Sequence, residues 1–496
     1  MLFSRRAFLA TALTPPQVRC FHLSASPEAL DADPELPDVV RAAGVTDVWI
    51  GAYLYGHWYY TPERIAAQRK VWGRAGLRTH VIQIPLGHPG DSLGSVSGQP
   101  PLIPPPHWKP GVRSNGKRQW GTSLHEPATA ENVDAIRRVA ALGVRRAFLD
   151  DDFRLAQGPG VIGGCYCDAH VAEFTRRYGY GPAVCEQLLD AVRARRLDAV
   201  VRNWVEYTCD QLTACFRAIQ KGAPEIDLGI MVMYLGSEKA GIRLEDYRDV
   251  PFRVGELMFD DKSFGRVKGK TNELFSALFH RRFTTPERAF SETTAFPSNQ
   301  LSAANMAAKL AISTLADVRN TMMMSGVTPF PRSHWATLGP AMRKHAALHA
   351  RVAGHVPRGP FKHWWGEAAR YVGDDNPYSL FLASGIPFEV CYQPPREGWV
   401  FLSDADSINT SAVAVTRKTV PETLADLYAF KHRVRKVLTD VPFVEDDKPV
   451  VCSWLPTARR VLLWNLAEAK EVFSLVHGEK RREVTAGALE LIEVEL

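Results

Sequence analysis

Short apolar runs alternate with longer amphipathic segments along the first two-thirds of the chain. The apolar runs predict eight buried strands, at Val18 to Ser24, Asp47 to Ala52, Thr79 to Ile84, Val144 to Leu149, Leu228 to Met233, Glu256 to Phe259, Arg288 to Ser291 and Arg319 to Met324. Segments with helical spacing lie between them, at Pro37 to Ala43, Pro62 to Ala75, Ala130 to Leu142, Ala199 to Lys221, Lys270 to Arg281 and Ala303 to Leu315. Eight strand-then-helix units predict an α/β fold of the closed (β/α)8 barrel (TIM barrel) type. An open doubly wound sheet is the alternative, but the sequence lacks the Gly-rich phosphate turn that usually follows one of its early strands.

The pattern changes after a helix predicted at Ser333 to Val352. The stretch Pro357-Arg-Gly-Pro360 indicates a domain boundary. Short helices and strands follow it, and the last part of the chain has the alternation of a small antiparallel β-domain. We predict a candidate leader at 1–17, a barrel at 18–355, an accessory domain at 356–440 and a C-terminal β-domain at 441–496. The two accessory parts are expected to serve packing or homo-oligomer contacts.

Composition narrows the class of protein. A chain of 496 residues with 46% hydrophobic and 23% charged residues is large enough for a full barrel and further domains. No apolar run reaches the roughly 18 residues that a membrane span needs. The net charge of +6 comes from scattered Lys and Arg, which argues against a nucleic-acid surface. The 12 Trp, 14 Tyr and 15 His favour a polar ligand that stacks on rings.

The N-terminus carries Ser4-Arg-Arg-Ala-Phe-Leu9, which resembles a twin-arginine export signal. An exported protein, periplasmic or extracellular, is one expectation. The apolar stretch after the arginines is short, and a predicted strand begins almost at once at Val18. A cytoplasmic protein is therefore the alternative.

The most informative chemistry lies at the end of the fourth predicted strand, where three carboxylates, Asp150, Asp151 and Asp152, follow an apolar run and precede Arg154. Adjacent acids repel one another and are costly to desolvate, so a strand that ends this way indicates a polar site. Glu292 ends the seventh predicted strand. Strands four and seven of a barrel face each other across its mouth, where two carboxylates would flank a glycosidic bond.

Other polar and aromatic residues follow strand ends and are candidates for substrate binding. They are Tyr55, His57, Trp58, His88, Asp260 and Asp261, with Asp150 and Arg154 orienting the acid. The segment from Gly87 to Pro127 is rich in Gly and Pro and predicts a long loop after strand three. Trp120, His125 and Glu126 near its end would roof the pocket.

The eight cysteines are too sparse for a disulfide framework. Cys165, Cys167 and His170 lie within six residues, which suits a structural Zn²⁺ if Cys185 or Cys209 supplies a fourth ligand. Ordinary buried thiols are the alternative interpretation. No metal or other cofactor is expected to be required for catalysis.

A barrel with carboxylates at the ends of strands four and seven resembles the clan of retaining (β/α)8-barrel glycoside hydrolases, and the domain layout is similar to that of the family 42 β-galactosidases. The resemblance implies a Rossmann-like accessory domain and a small C-terminal β-domain, and the cysteines after strand four match the place where some of those enzymes carry a metal cluster. The clan's usual Asn-Glu pair on strand four is replaced by Leu149-Asp150 and its two following acids.

These observations predict a glycosidase acting on a glycoside or an oligosaccharide. Asp151 or Asp152 would be the acid/base and Glu292 the nucleophile. Two alternatives stay open. In one, Asp150, Asp152 and Asp261 hold a divalent cation in a metal-dependent hydrolase or lyase. In the other, the protein binds carbohydrate without catalysis.

Overall fold

The computed structural model describes residues 18–86, 104–122, 124–150, 153–155, 162–232, 235–255, 260–295, 297–325, 330–373, 376–402, 406–408, 411–438 and 440–496, without the side chains of 119–122. The candidate leader, Met1 to Gln17, lies outside these residues, so export stays a prediction. Within the described part of the chain, no helix combines the length and the hydropathy that crossing a membrane would require.

Eight parallel strands close into a barrel, because the first pairs with both the second and the eighth. Barrel strands one to eight are Cys20–Ser24, Asp47–Leu54, Arg78–Ile84, Arg146–Leu149, Asp227–Val232, Phe252–Val254, Ala289–Thr294 and Asn320–Met324. The predicted barrel is confirmed. Seven strands lie where the apolar runs predict them, but strand six precedes the predicted Glu256 to Phe259, which lies outside the described residues. Arg253 interrupts the apolar pattern of the true strand and hides it.

Helices follow the strands and cover the barrel. The larger ones are Leu36–Ala43, Pro62–Arg74, Ala128–Ala141, Asp168–Tyr178, Val184–Arg193, Ala199–Gly222, Val267–His280, Ala303–Leu315 and His334–Val352. Side-chain caps start several of them: Thr61 accepts a hydrogen bond from the Arg64 amide and Ser302 from the Asn305 amide. The apolar faces of the helices pack on the outward side chains of the strands to form the main core.

The inside of the barrel is filled by side chains. Trp49, Ile82, Phe148, Phe290 and Met322 form its central apolar layer. At the seam where strand one meets strand eight, the fully buried Arg19 donates hydrogen bonds to Thr314, the Leu310 carbonyl and Thr321.

Two smaller units follow the barrel. The accessory domain has a parallel sheet whose strands lie in the order Phe388–Cys391, Phe361–Trp364, Trp399–Phe401 and Val413–Val415, with helices Glu367–Val372 and Leu424–Val434. It packs on the loop after barrel strand five, where Arg370 pairs with Glu238 and Lys239 donates to the Gly373 carbonyl. The C-terminal unit has two antiparallel sheets of three strands each. One contains Phe443–Val444, Glu471–His477 and Lys480–Ala486, and the other contains Val450–Leu455, Arg460–Asn465 and Leu491–Glu495. The predicted Rossmann-like and β-domain architecture is confirmed.

Candidate functional site

Barrel strand four delivers the first carboxylate of the acidic cluster into the barrel. Its residues 147–149 are buried, and the Asp150 amide continues the pairing with strand three by donating to the Gln83 carbonyl at 2.8 Å. The Asp150 side chain is only 4% exposed. Arg154, just behind it, is also buried. Asp151 and Asp152 lie outside the described residues.

Barrel strand seven supplies the second carboxylate. All six residues of Ala289–Thr294 are buried, and Glu292 lies in register with Met322 of strand eight. The Glu292 side chain is 3% exposed. The Thr294 hydroxyl donates a hydrogen bond to its Oε1 atom. Glu292 is therefore held in one orientation by the next inward position of its own strand.

A buried arginine brings these two carboxylates together. Arg253, in the middle of strand six, is 0% exposed. Its Nη2 atom contacts Asp150 Oδ1, and its Nε atom lies 3.0 Å from Glu292 Oε2. Its guanidinium lies over the Phe148 ring, 5.2 Å from the centroid. The carboxylates of strands four and seven thus share one guanidinium at the carboxyl ends of the strands.

The packing around Arg253 fixes its position. Phe148 fills the barrel because strand five has Gly229 opposite it, where any side chain would collide with the ring. Met231 and Met322 contact the guanidinium from strands five and eight. Sequence reasoning missed Arg253. The one available signal was a lone charged residue within Phe252-Arg253-Val254, a segment too short to stand out by periodicity.

The candidates after strand two form part of the wall at this end of the barrel. Tyr55 is buried against Leu54 and Ile84, and its amide donates to the Ile84 carbonyl at 2.9 Å. His57–Trp58 is a short strand that folds back on strand two. The Trp58 ring packs edge-on against Tyr53, with ring centroids 5.6 Å apart. Substrate binding by Tyr55, His57 and Trp58 stays a prediction.

The loop after strand three is partly described. His88 lies outside the described residues, and Trp120 lies in the short strand Arg118–Thr122 with its side chain undescribed. Glu131 anchors the loop, since its carboxylate accepts from Trp108 Nε1 at 2.7 Å and lies 2.8 Å from His107 Nε2. The loop is therefore tied to the helix Ala128–Ala141.

Asp260 and Asp261 cap helices. Asp260 accepts a hydrogen bond from the Ser263 amide at 2.7 Å. Asp261 Oδ1 accepts from the Ser302 amide, the Ser302 hydroxyl and Asn305 Nδ2 at 2.8 to 3.0 Å. Strand six ends at Val254, so these acids are not at its end as predicted. Contact of these acids with substrate stays a prediction.

The predicted metal ligands do come together, with an unpredicted partner. His125, Cys165, Cys167 and His170 place their ligand atoms within 4.8 Å of one another. Cys167 Sγ lies 3.4 Å from His125 Nε2 and 3.5 Å from His170 Nδ1. In place of Cys185 or Cys209, the fourth group is His125, from the end of the long loop. His125 therefore belongs to this cluster.

The chemistry of this cluster fits a tetrahedral zinc ion. Bond lengths of about 2.0 to 2.3 Å put tetrahedral ligand atoms roughly 3.3 to 3.8 Å apart, close to the spacing around Cys167. Burial lowers the pKa of His125 to about 4 and also lowers that of His170, so both imidazoles are neutral near pH 7 and able to ligate. Cys209 is not a member of this ligand set, because its thiol donates a hydrogen bond to the Glu238 carbonyl.

Comparison with solved structures places this architecture among known folds. The chain is similar to the β-galactosidase from Rahnella sp. R3, with a TM-score of 0.60 at 9% identity, over 97% of this chain and 99% of that one. For the β-galactosidase of the haloarchaeon Halorubrum lacusprofundi the TM-score is 0.61 at 10% identity, over 96% and 99%. For a GH42 β-galactosidase from G. stearothermophilus it is 0.57 at 10% identity, over 96% and 98%.

The class defined by the fold is therefore a (β/α)8-barrel protein with two accessory domains. Its layout over nearly the whole chain is that of the family 42 β-galactosidases. No family model matches the sequence, and no curated protein does.

Proposed function

We propose that the protein is a glycoside hydrolase whose active site lies at the carboxyl end of the barrel. The observation that carries the proposal is the meeting of Asp150 and Glu292 on one buried guanidinium, at the end of the barrel where such folds carry their active sites. The shared fold with β-galactosidases supports the same class of reaction. A glycoside or an oligosaccharide is the proposed substrate.

In the proposed mechanism, strand seven supplies the nucleophile and the residues after strand four supply the acid/base. Glu292 attacks the anomeric carbon while Asp151 or Asp152 protonates the leaving oxygen, which gives a covalent glycosyl-enzyme. The same acid then removes a proton from water, and the water releases the sugar. Asp150 is committed to its ion pair with Arg253, so the proton donor is assigned to one of the two acids after it.

The described contacts do not favour a catalytic cation on the acidic cluster. That alternative needs Asp150, Asp152 and Asp261 as ligands. Asp150 contacts a guanidinium, and Asp261 Oδ1 accepts three hydrogen bonds at the start of helix Ala303–Leu315. A metal ion would have to displace these partners.

A structural metal forms the second part of the proposal. His125, Cys165, Cys167 and His170 would hold Zn²⁺ and so tie the end of the strand-three loop to the start of the helix Asp168–Tyr178. The backbone bond from the Tyr166 amide to the Val112 carbonyl, 2.8 Å long, joins the same two segments. The metal would support the loops beside the active site and take no part in bond cleavage.

The test of function is hydrolysis by the purified protein of a panel of aryl glycosides and oligosaccharides, with and without EDTA. Glu292→Gln should abolish release of sugar, and Glu287→Gln, an exposed carboxylate just before the same strand, should not. Release that survives brief EDTA treatment and vanishes in Glu292→Gln supports the proposal. Activity in the Glu292→Gln variant, release that stops as soon as EDTA is added, or binding of sugar without any release would each overturn it.

A further inference from the structure

The arrangement of Asp150, Arg253 and Glu292 gives one cation to two carboxylates. All three side chains are at most 4% exposed. Asp150 contacts Nη2 and Glu292 lies 3.0 Å from Nε, so the acids meet different edges of the same guanidinium. An arginine stays protonated at any ordinary pH, and its charge is delocalised over the whole group.

We propose that Asp150 controls the ionisation of Glu292 through Arg253, which makes Asp150 and Arg253 positioning residues of the active site. This inference rests on the proposed role of Glu292 as nucleophile. A nucleophilic carboxylate must be ionised, and a neighbouring cation favours that form. Asp150 draws on the same cation and so weakens its effect on Glu292.

The reason for such a division lies in the reaction itself. A carboxylate that is fully neutralised by an arginine is a poor nucleophile and a reluctant partner for the anomeric carbon. A carboxylate with no cation nearby would take up a proton when buried. Sharing Arg253 with Asp150 keeps Glu292 ionised without binding its charge completely.

Among the described groups, Arg253 is the cation that contacts both carboxylates, and Arg154, just behind Asp150, is a second buried cation. Strands five and eight present Met231 and Met322, and strand four presents Phe148, all uncharged. Charged and titratable groups lie one level lower, toward the amino ends of the strands: His22, Asp47, His80 and Arg146. His22 and Arg146 both pack against Phe290, which separates them from Glu292.

Two substitutions should move the ionisation of Glu292 in opposite directions. Asp150→Asn removes one of the two described carboxylates beside the guanidinium, so Glu292 should stay ionised to lower pH. Arg253→Gln removes the cation, so Glu292 should take up its proton at higher pH, by about 1 to 3 pH units. A purely structural role would not produce shifts of opposite sign.

The experiment follows the carboxyl carbon of Glu292 by NMR in protein labelled at glutamate side chains. Glu292→Gln identifies the resonance, which is then titrated in the wild type, Asp150→Asn, Arg253→Gln and the exposed control Arg145→Gln. We expect a downward shift, an upward shift and no shift for the three variants. If Arg253→Gln fails to fold, Arg253→Lys replaces it and should give a smaller upward shift.

This titration needs no turnover, so it separates the two proposals. If no substrate is hydrolysed and the opposite shifts appear, the proposed function fails and the coupling stands. If hydrolysis is observed, the acidic limb of kcat/KM should move with the same signs. An unmoved Glu292 resonance in Asp150→Asn, or shifts of the same sign in both variants, would overturn the coupling.

Discussion

Carboxylates are buried at both ends of the barrel interior, but their partners differ. At the amino end, Asp47 is surrounded by donors: Thr46 Oγ1 at 2.6 Å, Arg78 at 2.7 Å and His80 Nε2 at 2.7 Å. At the carboxyl end, Asp150 and Glu292 share Arg253. In the described contacts, one acid with several donors contrasts with two acids that share a cation.

This difference distinguishes a stabilising site from the proposed reactive one. A buried carboxylate whose lone pairs are all engaged stabilises the fold and has little left to offer a ligand. The donors hold the pKa of Asp47 far below its usual range, against the opposing effect of burial. Under the proposed function, the two carboxylates that share Arg253 keep negative charge available for the reaction.

The largest expected effect concerns activity. Glu292→Gln should lower kcat by about four orders of magnitude or more, because it removes the proposed nucleophile. Asp47→Asn should leave kcat of the folded protein nearly unchanged. Initial rates on the best substrate of the panel measure both. Equal losses in the two variants would erase the proposed distinction between the two ends.

Stability should respond in the reverse order. Asp47→Ala should lower the free energy of unfolding by about 3 to 5 kcal/mol, because it leaves the buried donors around Asp47 without their acceptor. Asp227→Ala, which removes a half-exposed partner of Arg146, should cost less than about 1 kcal/mol. Urea unfolding followed by circular dichroism gives both values. A small loss for Asp47→Ala would contradict its stabilising role.

The histidines at the amino end of the barrel should also make the stability of the fold depend on pH. Burial lowers the pKa of His22 to about 4 from 6.5 and lowers that of His80, so the unfolded chain binds protons that the folded chain refuses. The contribution of neutral His22 to the free energy of unfolding is therefore fully present above pH 6.5. It is lost as the pH falls toward 4, at a cost of about 3 kcal/mol. Urea midpoints across this range should show the loss, and His22→Gln should flatten it. An equally steep loss in that variant would point to other groups.

The smallest expected effect on stability comes from the proposed metal site, which lies outside the barrel interior. Cys167→Ser should lower the zinc content and reduce Tm by several degrees, because a loop tether is lost. Cys185→Ser, with a cysteine outside the cluster, should do neither. Elemental analysis and thermal unfolding measure the two effects. Equal zinc content in the two variants would remove Cys167 from the ligands.

The sequence was most informative where structure is local. The helices at Pro62–Arg74, Ala199–Gly222 and Ala303–Leu315 begin where predicted, because their caps and apolar spacing are set by near neighbours. Strand seven, which carries Glu292, was also found from its apolar run.

Contacts between residues distant in sequence could not be predicted from the sequence. Arg253 meets Asp150 across about a hundred residues, and His125 joins cysteines some forty residues further on. Neither pairing leaves a periodic signal in a single sequence, because the residues meet only when distant segments of the folded chain come together. The fold class was therefore predictable, while the cation between the two acids and the fourth member of the metal cluster were not.

The seam between strands one and eight has a consequence for the order in which the chain folds. Cys20 pairs with Asn320, so the first strand of a nascent chain has no eighth strand beside it until most of the barrel has been synthesised. The closing contacts of Arg19 with Thr314 and Thr321 wait equally long. A ribosome stalled before residue 320 would hold an open sheet whose first strand lacks its eighth-strand partner. Closure of the barrel therefore comes late in the synthesis of each molecule.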